Sequence, residues 1–163
     1  MLETKKHNLD LYNTLLKLSR NIFFYSQIKL KDSFETRIYL MFIHFSIILI
    51  VFKKMQIKFS QSSYDNLFFS IENNLRELGF GDVSVNKKMK DLNKIFYDIL
   101  LKLNISKTAL KINKNLILKY FSQLDDNSSK KYKLFEQYLI KFYHFCFELS
   151  PETMIKDAIK FKV

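Results

Sequence analysis

Apolar residues recur three and four apart along most of this chain, the spacing that lines one face of an α-helix. A first helix is expected from a cap at Asn8 to about residue 25. Leu9, Tyr12, Leu15, Leu16, Leu18, Ile22 and Phe23 supply most of its apolar surface. A polar segment, residues 26–33, leads to a central helix that Asp32 or Ser33 caps. Residues 38–52 are then uncharged and mostly apolar, with Arg37 before them and Lys53 and Lys54 after. A polar linker at residues 60–63 precedes a helix over 64–78. Its Leu67, Phe68, Ile71, Leu75 and Leu78 share a face, and Glu72 pairs with Arg76 at i,i+4.

The only two glycines, Gly79 and Gly81, punctuate the pattern here. Glycine reaches positive φ without a Cβ penalty, so one helix ends at Gly79 and another begins soon after a tight turn. Val85, Met89, Leu92, Phe96, Ile99 and Leu103 then fall within roughly an 80° arc at 100° per residue. Lys87, Lys88, Lys90, Lys94 and Lys102 take the opposite side, diluted by Asp91 and Asp98. That lysine face reads either as a solvated surface or as a docking face for an anionic partner.

Ser106 or Thr108 opens a further helix through residue 121, carrying Lys107, Lys111, Lys114 and Lys119. Residues 125–129 form a polar loop. A long aromatic helix over 131–149 follows, with Leu134, Phe135, Tyr138, Leu139, Phe142, Phe145, Cys146 and Leu149 recurring. Ser150, Pro151 and Glu152 form a helix start, opening a short terminal helix to about residue 161. The expected fold is all-α: one compact domain of about six to seven helices over residues 1–163, with no internal repeat.

Composition agrees. The 163 residues are 48% hydrophobic and include 17 phenylalanines, which argues against disorder; one proline and two glycines leave little room for hairpins. Cys146 is the only cysteine, so no disulfide framework exists and a reducing compartment is expected. The net charge is +11, which attracts RNA, ribosome surface or acidic lipid. Abundant Lys, Ile and Asn also look like a coding bias toward AT-rich codons, which discounts the lysine excess. Residues 1–20 mix Glu3 and Asp10 with basic residues and lack an apolar stretch. Neither a signal nor a transit peptide is evident, and a cytoplasmic location is expected. The apolar segment 38–52 is about a turn short of a membrane span and holds His44 in its middle. It reads as a buried central helix; the alternative is an interfacial or membrane-embedded helix with basic anchors.

Catalytic constellations are missing from the sequence. His7, His44 and His144 have no Glu three residues before them, no cysteine pair has metal-ligand spacing, and no nucleotide or nucleophile fingerprint occurs. His144 and Cys146 are two apart on a helix and face apart, so Cys146 reads as core. The backbone between Gly79 and Gly81 can present N–H groups to an anion, although Asp82 would repel a phosphate. No catalytic, cofactor or metal site is expected.

The stretch Arg76-Glu77-Leu78-Gly79-Phe80-Gly81-Asp82 resembles the R-E-x-G-x-G-D signature of the ubiquinol-cytochrome c chaperone family. The resemblance extends over about residues 9–121. Leu11-Tyr12, Ser19-Arg20 and Phe24-Tyr25 are similar to the family's opening pattern. Asp32, Phe34 and Arg37 resemble its D-T-F-x-x-R entry to the central helix, and His44 stands where the family has a histidine. Val85, Lys87, Lys88 and Lys90 match its basic helix, Phe96-Tyr97 its aromatic pair, and Lys114-Asn115-Leu116 a later Arg-Asn-Leu. Two departures stand out. Asp98-Ile99 replace a frequent Gly-Arg, so no role of that arginine carries over, and the end of the central helix is greasier than usual.

The resemblance implies a non-enzymatic assembly factor of the cytochrome bc1 complex. It implies newly made cytochrome b as client, the ribosome, an anionic membrane surface or a partner assembly factor as further contacts, and a place at the cytoplasmic face of the inner membrane. The competing class is a basic helical ribosome- or RNA-binding module, or a peripheral membrane factor, without a cytochrome client. Arg76, Glu77, Gly79, Gly81, Asp82, Lys87, Lys88 and Lys90 are the candidate partner-binding residues. Arg76, Glu77 and Asp82 have a structural alternative, a local network that fixes the angle between two helices. Asp32, Arg37, His44, Phe96, Tyr97 and Asn115 are assigned to the scaffold: Arg37 is expected to reach a carboxylate such as Glu77, and His44 reads as a satisfied core histidine, with a haem ligand as the sharper alternative.

Overall fold

A computed structural model describes residues 10–105, 110–125 and 130–163. The expected cap at Asn8, the openers Ser106 and Thr108, and most of the 125–129 loop lie outside the described residues, as does His7. The elements run α1 (Asp10–Ser19), α2 (Ile22–Ser26), α3 (Phe34–Lys54), α4 (Gln61–Glu77), α5 (Asp82–Lys102), β1 (Asn104–Ile105), β2 (Leu110–Lys111), α6 (Lys114–Tyr120), α7 (Lys130–Phe147) and α8 (Met154–Asp157). The fold is all-α, as the periodicity implies, with almost no strand.

α3 is the axis. The Ser33 hydroxyl accepts from the Thr36 N–H and so caps it, while Asp32 instead faces Arg37 at 3.8 Å. α1, α5 and α7 pack around α3 and bury it on nearly every side. Among the described residues one helix, α3, is long and apolar enough to cross a membrane. Yet 72% of its most apolar stretch is buried inside the protein. Phe42 and Phe45 meet Phe96 of α5 at 5.4 Å between ring centroids, and the residues expected to form the stripe of α5 are buried except half-buried Met89. Thr14 Oγ1 of α1 donates to the Ile155 carbonyl of α8 at 2.7 Å, closing the C-terminus onto the N-terminal helix.

Four sequence expectations are corrected. The first helix is two: the chain breaks at Arg20 and Asn21, and Asn21 Oδ1 accepts from the Phe23 N–H to start α2 afresh. That break turns Ile22 outward, 75% exposed. The expected helix over 106–121 begins only at Lys114, where Asn113 Oδ1 accepts from the Leu116 N–H. Before it, Leu110 and Lys111 pair antiparallel with Ile105 and Asn104. The terminal helix is a single α turn followed by a 3-10 turn at Ala158–Lys160, and Ser150 precedes it by a turn rather than capping it. Leu78 is the cap residue of α4 and 55% exposed, not part of its buried face.

Candidate functional site

The turn between α4 and α5 is built by one glycine. The Gly79 N–H donates to the Arg76 carbonyl at 3.0 Å and the Phe80 N–H to the Leu75 carbonyl at 3.3 Å, the paired bonds of a Schellman termination. Gly79 has φ +98°, a conformation that L side chains avoid. Gly81 has φ −72°, open to any residue, and a Cβ there would meet nothing within 4 Å. So only Gly79 is required by backbone geometry; Gly81 serves as the N-cap of α5 without a capping side chain.

Arg76 bridges the turn. It lies 3.3 Å from Glu72 and 3.5 Å from Asp82, which ties the end of α4 to the start of α5. The pairs are partly exposed, so each contributes tenths of a kcal/mol, on the order of 0.2–1. Glu77 takes no part in this network, and Arg37 reaches Asp32 rather than Glu77. Arg37 and Glu77 nevertheless line one cleft.

Two adjoining hollows share Phe34 and Leu78. The larger, about 510 Å³, lies between the start of α3, the end of α4 and the first half of α5. Leu75, Leu92 and Ile95 form its base, and Phe34, Tyr39, Leu78 and Phe80 its walls. Glu35, Asp91 and Lys88 stand among them, with the Lys88 ammonium 4.5 Å from the Phe80 ring centroid. Leu78 and Phe80 are 55% and 38% exposed, so the apolar wall is uncovered. The second hollow, about 320 Å³, is more polar: Tyr12, Arg20, Arg37, Asn74 and Glu77 stand over Leu16, Ile38 and Met41.

The other candidates divide between surface and core. Lys87 and Lys90 are exposed on the far side of α5 and line neither hollow. Phe96 is core, Tyr97 is half-exposed with a hydroxyl contact to Tyr64 at 3.3 Å, and Asn115 is exposed on α6. Asp98 accepts from Lys102, Tyr120 and Lys119 and fastens α5 to α6. Those three donors hold its carboxyl well below the usual carboxylate range. His44 is fully buried; its Nδ1–H donates to the Leu40 carbonyl at 2.6 Å, and Nε2 accepts from the Tyr138 hydroxyl at 2.7 Å. Both nitrogens are engaged, which makes it a satisfied core histidine with no lone pair for a haem iron. Burial pushes its pKa down to about 4.

Phe80, Leu78, Phe34 and Tyr39 were not singled out by sequence as site residues. The available signal was local: Leu78 and Phe80 are apolar residues alternating with two glycines, where no helix is available to bury them. The groove supplies shape and apolar surface. Burial pushes the Cys146 thiol up to about 12, and no group of three or more His, Cys, Asp and Glu able to hold a metal occurs among the described residues.

A family model described as Ubiquinol-cytochrome C chaperone matches residues 26–111, just over half of the chain. Every residue lining the larger hollow falls within that match. Comparison with curated proteins returns no match, and neither does comparison with solved structures. The match to its family is enough: the chain belongs to the ubiquinol-cytochrome C chaperone family.

Proposed function

We propose that the protein is a non-enzymatic assembly chaperone of the cytochrome bc1 complex that binds newly made cytochrome b. The family itself implies a chaperone with a protein client. The observation that carries the finer reading is the uncovered apolar groove at the α4–α5 turn, built wholly from the family-matched segment. An exposed apolar surface in a folded chain marks a binding site, and a hydrophobic segment of a membrane protein is the ligand it suits. The exposed lysines of α5, Lys87, Lys90 and Lys94, support a separate contact with an anionic surface, ribosomal or lipid, at the cytoplasmic face of the inner membrane.

The test is a pull-down of tagged protein after gentle crosslinking, with co-purifying polypeptides and RNA identified. Cytochrome b enriched above other membrane proteins of similar abundance is the expected result. Ribosomes enriched without cytochrome b would favour the competing class, a ribosome-binding module.

A further inference from the structure

The two hollows differ in the charges around them. Glu35 and Asp91 flank the larger with one lysine, Lys88; Arg20 and Arg37 flank the smaller with one carboxylate, Glu77. Among the described residues no lysine or arginine forms an ion pair with Glu35, Glu77 or Asp91. Arg37 is engaged only loosely, by exposed Asp32 at 3.8 Å and by the Ser33 carbonyl at 3.4 Å. Carboxylates outnumber cations around the larger hollow and arginines outnumber carboxylates around the smaller, and the two adjoin at the walls they share, Phe34 and Leu78.

A helix carries the opposite asymmetry, about half a positive charge at its N-terminus and half a negative charge at its C-terminus. We infer that the groove takes a single apolar helix in a fixed direction, N-terminal end against Glu35 and Asp91 and C-terminal end against Arg20 and Arg37. The inference rests on the reading of the groove as the client site and adds the orientation of what it holds. The favoured occupant is an apolar helix with basic residues in its first turn and a carboxylate in its last. Neither end of the groove has the single-signed field that an RNA or an anionic lipid surface calls for.

Two synthetic helical peptides test this. Both carry the same stripe of Leu, Ile and Phe. One has Lys in its first turn and Glu with a free carboxylate in its last; the other has the charges exchanged and both ends blocked. Anisotropy titration of labelled peptide with the full chain at low salt is expected to favour the first by roughly fivefold or more. The double variant Arg20→Glu, Arg37→Glu is expected to abolish or invert that preference, and Lys133→Glu, Lys162→Glu, exposed and outside both hollows, to leave it in place. Should the arginine variant fold poorly by circular dichroism, the ratio in the unaltered protein decides alone. Equal affinity for the two peptides, or binding of neither, overturns the inference. Equal affinity with cytochrome b still captured removes the direction and leaves the function standing. A preserved preference without cytochrome b capture upholds the directional groove and removes the client.

Discussion

Two regions of this molecule treat their unusual groups in opposite ways. Where α3 meets α7, a histidine is buried completely, but both its nitrogens are bonded and aromatic rings enclose it: Phe142 at 4.8 Å, Tyr138 at 5.5 Å and Phe24 at 5.8 Å between centroids. At the α4–α5 turn the reverse holds. Leu78 and Phe80 stay partly exposed, and Glu77 stands beside two arginines without an ion pair. A buried polar group with every bond made holds helices together. Apolar walls and charges left uncompensated are unspent on the fold and available to a partner. The lesson is that the two family-like features, the central histidine and the glycine turn, divide between scaffold and surface.

The largest expected effect is in the core. Tyr138→Ala should destabilise by about 3–5 kcal/mol, from the lost ring and the bond lost to His44. Tyr138→Phe keeps the ring and should cost about 1–3 kcal/mol by leaving Nε2 unpaired. Phe80→Asp, in the other region, should cost only about 1 kcal/mol, from the covered part of the ring and its contact with Lys88. Urea unfolding of the three variants checks the contrast, and a severe loss for Phe80→Asp would mean that the groove wall belongs to the core.

Acid sharpens the same contrast. His44 ionises near 6.5 in the unfolded chain and about 4 in the folded one. Its depressed value means the unfolded state binds the extra proton first. Stability is full above pH 6.5, falls as the pH drops toward 4 and levels off below, a loss of roughly 3 kcal/mol at about 1.4 per unit. The carboxyl of Asp98, also depressed, contributes above its ordinary 3.8 and is lost only as the pH falls below that. Unfolding midpoints at pH 7, 5, 4 and about 2.5 separate the two, and a midpoint unchanged between 7 and 4 would contradict the buried neutral imidazole.

Within the turn the two glycines should part company. Gly79→Ala forces a side chain into positive φ and should cost about 1–2 kcal/mol. Gly81→Ala should change stability by no more than about 0.5 kcal/mol, because its backbone suits any residue. Smaller still is Arg76→Ala, which removes two partly exposed ion pairs and should cost under about 1 kcal/mol in thermal melts.

Much of the fold was legible because helix periodicity reports burial directly. The stripe from Val85 to Leu103 and the apolar centre of α3 both became core. What failed was local. The break at Arg20 and Asn21 has no glycine or proline to announce it, and the pairing of residues 104–105 with 110–111 leaves no mark in so short a stretch. At the site, the signature drew attention to the charged residues of the turn rather than to its apolar walls. Sequence ranks charged residues as contacts, yet Arg76 and Asp82 are spent on each other. The exposed walls are Leu78 and Phe80, which no periodicity distinguishes from core. Arg20, Arg37 and Glu77 converge from three helix ends, a meeting that only the packing of α1, α3 and α4 creates.

The central claim is that this groove, rather than apolar surface in general, receives the client. A photo-crosslinking amino acid placed at Phe80, or at Leu101, compares the groove with an apolar position 75% exposed near the far end of α5. Irradiation in a cell assembling the bc1 complex should yield a crosslink to cytochrome b from position 80 and little from position 101. Equal crosslinks from both, or one from position 101 alone, would contradict the groove as the client site.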